Sequence, residues 1–450
     1  MNGEELPKGW VWTTLGDIAQ WSSGGTPKAG TPEYYGGSIP WAVIGDLEDG
    51  PVTATASSIT ETGLKESSAK VVQAGTLFVA MYGSIGKLGI AALPMATNQA
   101  IAAGRVSEDI ETLYVFWWLR HQRSELAAAG QGGAQKNINQ AILKAWPVAL
   151  APAAEQRRIV DEIERRFSHL DAAVRSLGAA RRRLKSAKRT VILAAIPATW
   201  DSTWSTTQVT DVGEARLGLQ RSPMRHQGSN MKPYLRVANV FEDRIDLTDV
   251  MEMHFTSEEE KRYQLHDGDV LLNEGQSPEL LGRPAIWRGE NAEMHFTNSL
   301  IRFRCGENVS PEWALLVFRH HMHSGRFRKE SRITTNIAHL ALGRFKTVEF
   351  PLPPLDEQRR IVGEVDRRLS LIEAAEREVE ASLHKVGQLR RSILAAAFRG
   401  ELVPQDPDDE PAEVLLERIA AERAAAEAEK KSNGKTARRR RRAKTEEMAG

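Results

Sequence analysis

The feature that most constrains this sequence is an internal repeat. Six consecutive residues recur without change 202 positions apart, as Glu155-Gln156-Arg157-Arg158-Ile159-Val160 and Glu357-Gln358-Arg359-Arg360-Ile361-Val362. Weaker matches precede them: Trp10, Thr13, Leu15 and Asp17 align with Trp204, Thr207, Val209 and Asp211 at an offset of 194, and Thr97-Asn98 aligns with Thr297-Asn298 at an offset of 200. An offset that drifts by a few residues indicates two copies of one scaffold with small loop insertions.

Each copy predicts a mixed domain of helices and strands. Short apolar runs bounded by Gly, Pro and Asp, such as residues 76–80 and 269–272, are typical of β-strands. Residues 114–126 and 311–327 carry apolar side chains three and four positions apart. This spacing predicts a helix late in each copy.

The segment after each copy has a heptad pattern. Its apolar positions are Val160, Ile163, Phe167, Leu170, Val174 and Leu177 in the first segment, and Val362, Val365, Leu369, Ile372, Val379, Leu383 and Val386 in the second. Each segment runs about 40 residues, or roughly 60 Å as a helix. Neither can bury its apolar seam alone, so we expect the two helices to pair antiparallel, with one domain near each end.

The expected fold class is therefore α+β, with two similar mixed α/β domains, a pseudo-two-fold internal repeat and two long antiparallel coiled-coil helices that separate the domains. The expected boundaries are 1–151 and 198–353 for the domains, 152–197 and 354–400 for the helices, and 401–450 for a tail. We expect the tail to contain a short helix and then a disordered basic end with five arginines, 438–442. These arginines would either add nonspecific DNA affinity or keep the tail solvated.

Two similar domains on a stiff rod suit a two-part target on a linear lattice, and double-stranded DNA is such a lattice. Cationic and amide side chains in the loops supply groups that can contact phosphates and base edges in the major groove. In the first domain the candidates are Lys28, Ser84, Lys87, Asn98, Gln99, Gln135, Lys136 and Asn137. In the second they are Arg216, Gln220, Arg221, Arg225, Asn273, Gln276, Arg283, Arg328, Lys329, Arg332, Thr334 and Asn336. Because the loops differ, the half-sites should differ.

An ordered set of motifs resembles the specificity subunits of type I restriction-modification systems. Residues 353–362, Pro-Pro-Leu-Asp-Glu-Gln-Arg-Arg-Ile-Val, match the opening of the long helix in that family. Further matches are Leu6-Pro7-Lys8-Gly9-Trp10, Gly24-Gly25-Thr26-Pro27, Ile39-Pro40-Trp41, Gly83-Ser84-Ile85-Gly86, the stretch from Gln131 to Ile138, and Phe398-Arg399-Gly400-Glu401-Leu402. The resemblance covers residues 6 to 404. It departs at Ala151-Pro152-Ala153-Ala154, and Gly-Gly-Thr is absent from the second domain.

The resemblance implies that each domain reads one half of a split, asymmetric DNA target. It also implies that the helices set the spacing and dock two methylation subunits, which bring S-adenosylmethionine and the methylation site. Restriction and translocation subunits, with ATP and Mg, would join that core. Base-reading positions vary within such families, so none is transferred to a residue of this sequence.

The sequence offers no convincing catalytic or metal site. Its only Pro-Pro pair lies between Leu352 and Leu355, which does not fit the Asn/Asp-Pro-Pro-aromatic loop of a methyltransferase. The stretch Gly83 to Leu88 lacks the first Gly and the Ser/Thr of a phosphate-binding loop. His320-His321-x-His323 has no Cys or carboxylate at ligand spacing, and Cys305, the only cysteine, is expected to be a small buried apolar residue.

Charge is concentrated locally although the formal net charge is only +1. Eleven arginines and lysines lie between Gln156 and Thr190, and they are either a solvated helix exterior or a DNA contact. No apolar run approaches the length of a membrane span, so the chain is expected to be cytoplasmic and to make no membrane contact.

Two rival interpretations remain open. One is a coiled-coil scaffold whose repeated domains bind protein, and the other is a nuclease with a carboxylate site. A neighbouring adenine methyltransferase gene would favour the DNA reader over the scaffold. Magnesium-dependent cutting by the isolated chain would indicate the nuclease.

Overall fold

The computed structural model describes residues 5–132, 136–196, 204–289, 293–334, 337–425 and 428. The chain forms two compact units: Met1–Arg175 with Leu383–Gly450 is unit 1, and Ser176–Ser382 is unit 2. Each unit therefore contains one copy of the repeat and parts of both long helices. Among the described residues, no helix is long and apolar enough to cross a membrane.

The first copy alternates short strands and helices. Its strands are β1 (Val11–Thr14), β2 (Ala19–Ser23), β3 (Tyr35–Ala42), β4 (Gly50–Val52), β5 (Ser58–Ile59), β6 (Val71–Val72), β7 (Leu77–Ala80), β8 (Leu88–Ala91), β9 (Met95–Thr97), β10 (Ile101–Val106) and β11 (Pro147–Leu150). Its helices are α1 (Leu15–Ile18), α2 (Glu61–Lys65), α3 (Thr112–His121), α4 (Arg123–Ala128) and α5 (Gln140–Lys144), and α6 (Ala153–Ala195) follows.

The second copy repeats this order with additional short strands. The strands are β12 (Ser205–Gln208), β13 (Gly213–Leu217), β14 (Met231–Leu235), β15 (Val240–Phe241), β16 (Arg244–Ile245), β17 (Met251–His254), β18 (Val270–Asn273), β19 (Gly275–Gln276), β20 (Pro284–Ile286), β21 (His295–Phe296), β22 (Leu300–Cys305), β23 (Arg332–Thr334), β24 (Ile337–His339) and β25 (Glu349–Leu352). The helices are α7 (Val209–Val212), α8 (Ser257–Tyr263), α9 (Pro311–Ser324), α10 (Arg326–Lys329), α11 (Leu342–Lys346) and α12 (Leu355–Phe398).

The two copies share a sheet topology. The main sheet of the first copy has the order β2-β10-β7-β8-β4, and that of the second has the order β13-β22-β18-β20, which matches the first four strands. The first and last strands also pair in each copy, β1 with β11 and β12 with β25, both antiparallel. These pairs close each domain just before its long helix begins. The predicted mixed fold and internal repeat are confirmed.

The helices predicted at 114–126 and 311–327 are each broken once, which corrects the prediction of single helices. In the first copy the break lies at Gln122, between α3 and α4. In the second it lies at Gly325, whose φ of 78° is left-handed and ends α9. A left-handed residue cannot continue a right-handed helix, and Gly adopts that conformation with little strain.

Within unit 2, the long helices run antiparallel. Arg181 pairs with Glu380 at 3.0 Å, and seven residues further along α6, Lys188 pairs with Glu373 at 3.0 Å, seven residues earlier in α12. Within unit 1, Asp171 of α6 pairs with Arg390 of α12. Val160, Ile163, Phe167, Val365, Leu369, Val379 and Val386 of the predicted seam are buried, whereas Leu170, Val174, Leu177, Val362, Ile372 and Leu383 are half-buried.

The tail is partly built into unit 1. A helix over residues 412–425 buries Ala412, Leu415 and Ile419 in the same core as β1 and α3. The N–H of Ala412 donates to the carbonyl of Gly9 at 2.9 Å. The predicted disordered end, including the arginines at 438–442, lies outside the described residues.

Candidate nucleic-acid interface

Loops of the first domain that carry the predicted DNA contacts are joined by backbone hydrogen bonds. Gly25 N–H donates to Thr97 O at 2.9 Å, Met81 N–H to Ala100 O at 2.8 Å, and Ile138 N–H to Met81 O at 3.0 Å. We call residues 24–28, 81–87, 97–100, 131–132 and 136–139 the first loop cluster. It contains every predicted contact of the first domain that the structure describes.

Corresponding loops of the second domain are joined in the same way. Leu219 N–H donates to Phe296 O at 3.1 Å, Glu274 N–H to Ser299 O at 3.0 Å, and Leu340 N–H to Glu274 O at 2.8 Å. Residues 218–221, 274–276, 296–299 and 337–340 are the second loop cluster. In it, β19 pairs with β24, and β24 pairs with β23. One backbone framework is therefore present twice, with different side chains on it.

One position in each loop cluster requires glycine, because the backbone of a neighbouring loop approaches it closely. A Cβ on Gly24 would lie 2.1 Å from Thr97 O, and one on Gly218, 194 positions later, would lie 2.3 Å from Thr297 O. No carbon atom can approach a carbonyl oxygen this closely, so both positions require glycine. Sequence comparison found no Gly-Gly-Thr in the second domain, yet Gly218 keeps the close-approach position.

Substituting these glycines should open the loops. We expect Gly218→Ala to increase hydrogen exchange at residues 274–276 and 296–299 and to lower DNA affinity at least tenfold, because the backbone must move to admit the methyl group. The matched control is Gly343→Ala in α11, where a Cβ meets nothing within 4 Å and alanine favours the helix. If mass spectrometry showed equal hydrogen exchange in both variants, position 218 would not require glycine.

The predicted contacts of the first domain differ in exposure. Lys28, Ser84, Gln99 and Lys136 are exposed, whereas Lys87, Asn98 and Asn137 are half-buried. Gln99 already accepts a hydrogen bond from the Thr26 hydroxyl, and Asn98 Oδ1 accepts from Ala100 N–H at 3.1 Å. The exposed side chains are thus the ones placed to meet a ligand. Gln135 lies outside the described residues.

Exposed predicted contacts in the second domain are Gln220, Arg221, Arg328 and Lys329. The Arg221 guanidinium lies 5.7 Å from the centre of the Tyr234 ring, which holds the charge near the surface of the second loop cluster. Gln276 is half-buried, and its Oε1 accepts a hydrogen bond from Ser277 N–H. Arg332 and Thr334 lie in β23. Asn336 lies outside the described residues.

Some predicted contacts of the second domain are engaged within the fold. Asn273 is fully buried and donates to Val240 O at 3.3 Å, so in this structure it cannot meet a base, which corrects its assignment. Arg225 forms two 2.7 Å hydrogen bonds with Glu259, which lower the pKa of that carboxyl to about 2. Arg216 pairs with Glu214, with Nε 2.9 Å from Oε1.

Arg283 and a residue that the sequence did not single out share an aromatic ring. The guanidiniums of Arg283 and Arg244 lie 4.7 and 4.6 Å from the centre of the Phe241 ring. Burial lowers the pKa of Arg283. Sequence analysis did not single out Arg244, which lies in the hairpin of β15 and β16 that follows β14. A Phe followed closely by Arg was the only sequence signal.

Two of the three histidines of α9, His321 and His323, contact different groups. His321 is buried, with Nε2 2.9 Å from Glu349 O, and burial lowers its pKa to about 4. His323 Nε2 lies 2.9 Å from Glu242 Oε1. Within the described ranges, no group of three His, Cys, Asp or Glu could hold a metal ion. Burial also raises the pKa of Cys305 to about 12, which makes its thiolate scarce at neutral pH.

The repeated domains, paired helices and matching loop clusters define a protein with two similar domains on two long helices. The family model for the type I restriction modification DNA specificity domain matches residues 7–172 and 201–381, and the chain belongs to this family.

Relatives match along almost the whole chain. The specificity subunit of the type I restriction enzyme EcoKI from Escherichia coli K12 is 24% identical over 468 residues, which cover 97% of this chain and all of the relative. The StySPI specificity subunit from Salmonella potsdam is 24% identical over 463 residues, with the same coverage.

Solved structures share the fold. A chain from a type I restriction-modification assembly is 18% identical with a TM-score of 0.72, and the match covers 88% of this chain and all of that one. The HsdS subunit from Thermoanaerobacter tengcongensis is 18% identical with a TM-score of 0.54, over 89% and 99% of the two chains. The predicted family is confirmed.

Proposed function

We propose that this chain is the non-catalytic subunit that gives a type I restriction-modification complex its DNA sequence specificity. The observation that carries the proposal is the pair of loop clusters. One backbone framework occurs twice and carries different side chains, as expected for two readers of a bipartite, asymmetric target. Each domain reads one half-site in the major groove.

The chemistry of the exposed side chains differs between the clusters. The first loop cluster presents Lys28, Ser84, Gln99 and Lys136, the second presents Gln220 and Arg221, and α10 of the second domain adds Arg328 and Lys329. Arginine suits guanine edges and phosphates, and amides suit adenine edges. The two half-sites are therefore different sequences.

The long helices set the spacing between half-sites and dock two methylation subunits. S-adenosylmethionine is held by the methylation subunits. ATP and Mg are used by restriction and translocation subunits.

Domain exchange tests this proposal. The chain is co-expressed with its neighbouring methylation subunit, and methylated bases are mapped across the host genome by single-molecule sequencing. We expect a split motif with a fixed gap. Replacing residues 1–151 by the corresponding domain of a relative should change one half of the motif and leave the gap intact.

The reciprocal replacement of residues 198–353 is the matched control and should change only the other half. An assembled, folded complex that leaves no motif would overturn the proposal and favour the protein-binding scaffold. If the methylated motif stayed the same after both exchanges, the domains would not be the parts that read the target.

A further inference from the structure

A basic groove lies within unit 2, between the second domain and the long helices. Its volume is about 540 Å³, and one wall is formed by Arg181, Arg182, Lys185, Lys188 and Arg189 of α6. Glu242 and His323 of the second domain and Glu376 of α12 complete it. We call this the basic groove.

Most of these cations have an internal partner. Arg181 pairs with Glu380, Lys188 pairs with Glu373 at 3.0 Å and lies 3.7 Å from Glu376, and Arg189 donates to His323 O at 2.9 Å. Arg182 and Lys185 are exposed, and no ion pair joins them to another residue in the described ranges. Three positions apart on a helix, they lie on the same side and offer their charge to an outside ligand.

The wall of the groove is connected to the second loop cluster through Phe241 and Arg283. Glu242 in its wall directly follows Phe241, whose ring carries the guanidiniums of Arg244 and Arg283. Arg283 in turn follows Gly282, whose N–H donates to Asn273 O at 3.0 Å, beside the second loop cluster. Arg244 and Arg283 therefore lie among the residues that connect that cluster to the groove wall.

Of the two carboxylates in the wall, Glu376 lies beside Lys188, and Glu242 is engaged within the second domain. Burial alone would raise the pKa of Glu242, but the hydrogen bond from His323 and the charge of Arg319 lower it to about 2. Its negative charge is therefore engaged with Arg319, whose Nε lies 2.9 Å from Oε1. Arg182 and Lys185 therefore remain available to an anionic ligand.

We propose that the basic groove binds the phosphate backbone of the duplex beside the half-site that the second domain reads. A duplex bound on the second loop cluster presents closely spaced phosphates along its length, and Arg182 and Lys185 can neutralise two of them. The assignment rests on the proposed function, since it requires the second domain to bind DNA. It adds a contact that fixes position without reading sequence.

The test compares two double variants in the complex with methylation subunits. Arg182→Gln with Lys185→Gln removes the two uncommitted charges of the groove. Arg175→Gln with Arg183→Gln removes two exposed charges from the same helix that do not line it. Affinity for a target duplex is measured between about 50 and 200 mM salt, a range over which phosphate contacts weaken strongly.

We expect the groove variant to show a slope of log affinity against log salt that is shallower by about 1.8, with the methylated motif unchanged. The control should keep the wild-type slope. Neutral methylphosphonate linkages, introduced one at a time beside the second half-site, should weaken wild type at specific positions and have no such effect on the groove variant.

Different failures have different meanings. A groove variant with the wild-type slope overturns the phosphate assignment while the proposed function stands. If the groove variant assembled more weakly with the methylation subunits but kept the wild-type salt slope, the groove would bind a protein partner. That result would also overturn the phosphate assignment. A wild-type complex that binds no target duplex would contradict the proposed function itself.

Discussion

Replacing Arg319 with Met should destabilise the second domain by about 1.5–3 kcal/mol at neutral pH. The Arg319 side chain is almost completely buried, with Nε 2.9 Å from Glu242 Oε1 and Nη1 3.3 Å from Asp243 Oδ2. Without the guanidinium, half-buried Glu242 keeps only its contact with His323, and exposed Asp243 loses its ion pair. The free energy of unfolding, measured by chemical denaturation, gives the size of the effect.

The pH dependence identifies the cause. In the wild type, the pKa of Glu242 lies at about 2, below its ordinary value of 4.5, so it contributes stability above pH 4.5 that is lost as pH falls toward 2. Burial raises the pKa of Asp243, which acts in the opposite direction. In Arg319→Met both carboxyls should bind protons more readily, so the destabilisation should shrink as pH falls from 7 to about 5.

A surface substitution provides the control for Arg319. Arg359 pairs with Asp356 at 3.2 Å, but both side chains are mostly exposed, so Arg359→Met should change stability by less than about 0.5 kcal/mol. Adding Glu242→Gln and Asp243→Asn to Arg319→Met should recover part of the loss. A pH-independent loss in Arg319→Met would point to packing instead of charge.

The second large effect is expected at the repeated glutamines. Gln358 is completely buried; its Oε1 accepts from Ser310 N–H at 3.0 Å, and its Nε2 donates to Asn308 O and Pro353 O at 2.8 and 2.9 Å. Gln358→Leu removes these three hydrogen bonds, one of them buried and two partly buried. It should cost about 3–5 kcal/mol and speed hydrogen exchange in the first turn of α9.

Gln156 has the same role with fewer bonds. Its Oε1 accepts from Glu111 N–H at 3.1 Å, and its Nε2 donates to Ala151 O at 2.8 Å. Gln156→Leu should therefore cost less, about 2–4 kcal/mol. Gln388→Leu on the exposed side of α12 should be nearly neutral. If Gln156→Leu proved the costlier change, hydrogen-bond loss would not explain the ranking.

These glutamines show what the sequence could and could not reveal. The identity of residues 155–160 and 357–362 identified the repeat. It did not show that the side-chain amides of Gln156 and Gln358 connect the start of each long helix to the residues just before α3 and α9. That role depends on groups 45 and 48 residues away in sequence, and a local pattern carries no information about such contacts.

The heptad pattern predicted the long helices but not all of their buried residues. Ile159 and Ile192 are completely buried, and Ile361 is more buried than Val362. At these helix ends the recognition domain covers a second side of the helix, as when Trp117 packs on Phe167 with ring centres 4.9 Å apart. A seam calculated for two helices alone cannot include such contacts.

Site prediction was limited by the same lack of three-dimensional context. An asparagine beside a strand was a reasonable candidate for base contact, but Asn273 points into the core. Arg225 and Arg216 are cationic in sequence yet are paired with Glu259 and Glu214 in the fold. Residue type suggested the chemistry, and only the folded chain shows which groups are available to a ligand.

The way unit 1 is assembled has a consequence for synthesis on the ribosome. Its core joins β1 and α3 to residues near the end of the described chain, through contacts such as Arg158 with Asp409 at 2.6 Å and Arg423 with Gly16 O at 2.8 Å. Unit 2 is a single continuous segment. The second unit can therefore complete its fold during translation. The first cannot do so until Arg423, about 400 residues after Gly16, has left the ribosome. During that interval, the apolar surface that Leu415 and Ile419 later cover is exposed and can bind chaperones.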